Sequence, residues 1–121
     1  MSYSRSVDNL AKALAVLIVE EENYSYIDKL GYAPSKDLAL YYLREALRDL
    51  HSLIRGGGFE KPYAKKLLSQ INLDDAERAI ENIGKIATRR ELREYLSILA
   101  SKALAISAKA LLKEEKKEEG G

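Results

Sequence analysis

The chain has 121 residues, 46% of them hydrophobic, with no cysteine, one histidine and a net charge of +1 from 20 basic and 19 acidic side chains. That length suits one domain burying about two thirds of its unfolded surface, and the missing cysteines exclude disulfides, thiolate zinc sites and thiol catalysis. No continuous apolar run nears the roughly 18 residues of a membrane span and no basic-then-apolar leader opens the chain, so it reads as cytoplasmic; its Lys, Arg and Glu beside a single Gln and a single Met are a thermophile's composition.

Apolar residues recur at helical spacing almost throughout, and nothing alternates like a strand. A first helix is predicted from Ser6 to Glu21, with Val7, Leu10, Ala11, Leu14, Leu17 and Ile18 as its stripe and Val16 and Val19 widening it. So broad an apolar face predicts a central helix. Glu20, Glu21 and Glu22 fall at its C-terminal end, where the helix dipole disfavours acid, so a basic group is expected near them. A short helix over 24–30 stops at Gly31. Pro34 and Ser35 open a long third helix with Ser35 as N-cap, and its core face is Ala39, Leu43, Ala46, Leu47, Leu50, Leu53 and Ile54.

Gly56-Gly57-Gly58 ends that helix as a flexible joint. A fourth helix starts near Pro62 with Leu67, Leu68 and Ile71 inward, and Asn72 caps a fifth with Ala76, Ala79, Ile80 and Ile83 inward. Thr88 and Glu91 form a capping box for the last, whose stripe is Leu92, Tyr95, Leu96, Leu99, Ala103, Ile106 and Ala110. The expected fold class is all-α, a compact bundle of five to six helices. One domain covers 1–112, and a charged, disordered tail without apolar residues covers 113–121.

Charge alternates along the chain: −2 over residues 1–30, +2 over 59–71, −2 over 72–87 and +3 over 88–112. The pattern suits subunits packing side by side as well as it suits a basic face. Arg44, Arg48, His51 and Arg55 are spaced four, three and four apart, so they line one face of the third helix, with Tyr41 one turn earlier. Such a stripe can track a phosphate backbone, or it can be a solvated face paired with Glu45 and Asp49. Lys61, Lys65 and Lys66 form a second basic group, and Lys85, Arg89, Arg90 and Arg93 a third. Both groups are expected at helix beginnings, where their charge opposes the dipole, which points to an anionic ligand.

Eight tyrosines stand against one Phe and no Trp, and Tyr24, Tyr26, Tyr32, Tyr41 and Tyr42 crowd one region. Tyrosine suits protein interfaces and can stack on bases. With one His and no Cys, no metal-ligand spacing emerges, no phosphate-cradling loop is present, and neither a cofactor nor a catalytic site is expected. The exception is Arg44 and His51 with six residues between them, which matches the Arg–His spacing of helical toxin or HEPN-type ribonucleases. There His would move a ribose proton and Arg would stabilise the phosphorane charge.

Two blocks carry a family resemblance. The opening Val7-Asp8-Asn9-Leu10-Ala11-Lys12-Ala13-Leu14 leads to Tyr24-Ser25-Tyr26-Ile27-Asp28-Lys29-Leu30. Then come Ala33-Pro34-Ser35-Lys36-Asp37 and Tyr42-Leu43-Arg44-Glu45-Ala46-Leu47-Arg48-Asp49-Leu50. Together they resemble the first half of the small subunit of the archaeal subtype I-A CRISPR effector complex (Cascade). The resemblance implies a non-catalytic helical subunit, present in several copies, whose partners are other effector subunits, further copies of itself, and the guide RNA–target DNA heteroduplex or the displaced single strand. No membrane role is implied. The third alternative is a helical adaptor that meets no nucleic acid.

Overall fold

Residues 7–19 form the centre of the molecule. Val7, Leu10, Ala11, Leu14, Val16, Ile18 and Val19 are all buried, and so are Ala13, Ala15 and Leu17 on the remaining faces. A stretch apolar on all sides, as residues 13–19 are, is stable only where neighbours surround it. Its helix, α1 (Tyr3–Glu21), packs against α3, α4, α5 and α6. The computed structural model describes residues 3–86 and 88–120, with side chains described for 5–85, 88 and 90–113. Among the described residues there are six helices and no strand: α1, α2 (Ser25–Gly31), α3 (Lys36–Arg55), α4 (Pro62–Ser69), α5 (Leu73–Ile86) and α6 (Arg89–Gly120). The all-α bundle expected from the periodicity is the fold observed.

The ends of the helices follow local chemistry. Ser35 Oγ accepts from the Leu38 N–H, Asn72 Oδ1 from Asp75 and Thr88 Oγ1 from Glu91, so each predicted cap is in place. Asn9, buried on α1, accepts from the Asn72 N–H at 3.1 Å and ties the start of α5 to the central helix. The glycine triplet does more than loosen the chain. Gly57 has φ +66°, its N–H donates to Ile54, and the Gly58 N–H donates to Leu53, which is a Schellman cap on α3. A left-handed residue is required there, and glycine adopts it without a Cβ clash.

The acidic end of α1 is also resolved. Glu22 lies at 2.9 Å from Lys61 Nζ. The Glu20 carboxylate accepts from the backbone N–H groups of Glu60 at 2.5 Å and Lys61 at 3.0 Å. The partner of the acids is therefore one lysine together with the positive N-terminus of α4, which starts with Pro62 at its first turn.

α6 is the longest of the described helices, and its backbone is helical through Gly120. Lys and Glu are good helix formers, and no breaker precedes Gly120. Its stripe of Leu92, Leu96, Leu99, Ala103, Ser107 and Ala110 is buried in the bundle. The opposite face, with Ile98, Ala105, Ala108 and Leu112, is exposed. The segment Arg90–Lys113 is long and apolar enough to cross a membrane by composition, which the short uninterrupted runs concealed. Lys102, bound to Asp8 of α1 at 2.6 Å, sits midway along it and fastens the helix to the bundle.

Candidate nucleic-acid interface

The basic stripe of α3 stands as the spacing requires. Leu43, Ala46, Leu47 and Leu50 turn inward, which leaves Arg44, Arg48, His51 and Arg55 on the outer side facing α5. Together with Glu77, Ile80 and Glu81 they bound an open groove of about 430 Å³ with Leu47 in its floor. The two helices run antiparallel, for His51 meets Glu77 while Leu40 lies against Gly84. A Cβ at Gly84 would come within 3.3 Å of Leu40 Cδ1, so the glycine permits this close approach. The antiparallel register puts Lys85, exposed in the last turn of α5, at the same end of the pair as Tyr41 and Arg44.

Pairing within the groove is uneven. Arg48 is 2.9 Å from Glu45, as a solvated face would have it, and His51 Nε2 is 3.0 Å from Glu77 Oε1. Asp49 is engaged elsewhere, accepting from the Tyr26 hydroxyl. Arg44 and Arg55 are exposed and have no ion-pair partner among the described residues. The groove therefore offers two uncommitted guanidinium groups, about three helical turns apart, above an apolar floor.

The second basic group divides. Lys61 is bound to Glu22, and its unfavourable position at a helix start is offset from within the molecule by the α1 carboxylates. Lys65 is exposed, and Lys66 lies over the Tyr63 ring at 5.7 Å. In the third group Arg90 and Arg93 are exposed at the start of α6, and the Arg89 side chain lies outside the described residues. Lys85 is at a helix end, not at a beginning as expected, and there the dipole favours its charge. The tyrosines split likewise. Tyr24, Tyr32 and Tyr41 are exposed, whereas Tyr26 and Tyr42 are half-buried beneath the Lys29 ammonium.

A second groove, of about 190 Å³, was missed from the sequence. It lies between α4 and α6, with Tyr63, Lys66 and Gln70 on one side and Ile106, Lys109 and Lys113 on the other. The three-and-four spacings of Tyr63 with Lys66 and of Lys109 with Lys113 are readable in the chain, but the pairing of the two helices is not. Among the described residues no group of three or more His, Cys, Asp or Glu side chains could hold a metal ion.

An uncharacterized protein of Archaeoglobus fulgidus is 54% identical to this chain over 109 residues, which span 90% of this chain and 94% of that protein. No family model matches the sequence, and no solved structure matches it significantly.

Proposed function

The chain belongs to one family with the Archaeoglobus fulgidus protein, and on that footing we propose that it is a non-catalytic helical subunit that grips a nucleic-acid backbone. Arg44 and Arg55, without an ion-pair partner among the described residues, carry this reading, because exposed guanidinium groups about 16 Å apart along one helix suit separate phosphates of one backbone. The finer assignment is the small subunit of a cytoplasmic CRISPR effector complex (Cascade). The two sequence blocks that resemble that family support it, and the second block contains Arg44 and Arg48. In that role the subunit stabilises the guide–target heteroduplex or the displaced strand, and guide pairing reads the sequence. The exposed apolar face of α6 supports packing of several copies.

The test is reconstitution of the complex with Arg44→Glu and Arg55→Glu together. Target-strand opening should fall, and the binding of the isolated chain to single strands should lose about 1 to 2 units of log–log salt slope. Strand opening and salt slope both equal to wild type would sink the reading.

One observation favours a second reading. Glu77 holds His51 at 3.0 Å, as carboxylates orient catalytic imidazoles, and Arg44 lines the same groove. A metal-independent ribonuclease would use this pair. Purified protein incubated with single-stranded RNA beside a His51→Ala control decides the matter, since cleavage that vanishes in the control displaces the binding-subunit reading.

A further inference from the structure

The groove between α4 and α6 differs from the arginine groove in one respect that matters for a ligand. Lys66, Lys109 and Lys113 converge on it, and among the described residues no carboxylate lines it. The lysines are not neutralised where they stand. Lys66 and Lys113 approach the Tyr63 ring at 5.7 Å and 5.9 Å, near the outer limit of about 6 Å for attraction to an aromatic face. A ring at that distance holds ammonium groups loosely and cancels none of their charge. In a chain whose net charge is only +1, three cations with no carboxylate among the described lining residues are a local excess.

The rest of the lining is apolar. Leu67, Ile106 and Ala110 make a floor beside the ring, and the Gln70 amide stands at the rim. A groove of about 190 Å³ takes one flat ring, with a phosphate left at its mouth beside the lysines, and not a duplex. Cations around an aromatic platform suit a group that is anionic at one end and planar at the other.

We propose that this groove binds one nucleotide unit of a single strand, its phosphate held by Lys66, Lys109 and Lys113 and its base laid against the Tyr63 ring. The site rests on the nucleic-acid reading above and adds to it a second contact, on a different helix pair from the arginine groove. Tyr63 supplies sequence-tolerant stacking, and the lysines supply the salt-dependent part.

The experiment titrates the full chain with labelled oligo-dT and oligo-U at several salt concentrations. The proteins compared are wild type, the triple variant Lys66→Ala/Lys109→Ala/Lys113→Ala, Tyr63→Leu, and Arg44→Ala/Arg55→Ala, each checked for helical content. The triple variant should lose tenfold or more in affinity, and its salt slope should flatten by about 2. Tyr63→Leu should lose about fivefold or more with its slope unchanged. The dT and U arms show which sugar is accepted, and tighter binding by wild type than by the variants in either arm supports the site. If wild type binds while the triple variant or Tyr63→Leu binds just as tightly, the site is overturned and the broader reading stands. Failure of wild type to bind either strand at low salt overturns both.

Discussion

Glu22 shows how a single residue can be held against its own preference. It has φ +51°, in the left-handed region, where a side chain costs about 1–2 kcal/mol. Its compensation is the Lys61 contact, yet Glu22 is largely exposed, and surface ion pairs contribute about 0.2–1 kcal/mol. The backbone term is therefore the larger of the two. Glu22→Gly is expected to keep or raise the thermal midpoint, and Glu22→Val, β-branched in the same conformation, to lower it by several degrees. A melting series measures both, and a clear fall for the glycine variant would show that the lysine contact dominates. The left-handed geometry could not be read from the sequence, because glutamate is not a residue that announces it.

Among the elements, α4 is the one held by its neighbours. It has eight residues and only Ala64 fully buried, too little for an isolated helix. The Glu20 carboxylate takes two backbone N–H groups at its start, and such charge-assisted bonds contribute about 1.5–3 kcal/mol. Glu20→Ala should speed amide hydrogen exchange across α4 by about tenfold or more while α1 and α5 exchange as before. Uniform exchange in all helices would mean that the carboxylate supports the whole bundle instead. This anchor was half legible. Three acids at the wrong end of a helix called for a positive partner, but a helix terminus is not a residue type and leaves no mark in the chain. The caps at Ser35, Asn72 and Thr88 were fully legible, since each involves residues three apart. So was the α3 stripe, which needs only the helical period. The α4–α6 groove was not, because Tyr63 and Lys109 meet only through tertiary packing.

For the molecule as a whole, α6 sets the balance between folding and association. One side of it closes the bundle, and the other leaves Ile98 52% and Leu112 59% exposed on an apolar face. Exposed apolar faces of this kind mark surfaces that meet another protein. Ile98→Glu combined with Leu112→Glu should reduce concentration-dependent self-association in sedimentation while leaving the melting midpoint nearly unchanged. A wild-type chain that remains monomeric at every concentration would remove the face from the proposed packing of copies. The central place of α1 has a consequence in time. The helix most in need of cover, α1, is made well before its most extensive neighbour, α6. At about 5–20 residues per second the ribosome needs roughly 3–14 s to pass from the end of one to the start of the other. Throughout that interval a segment apolar on every side is without its main shelter, so the nascent chain is at its stickiest before α6 emerges.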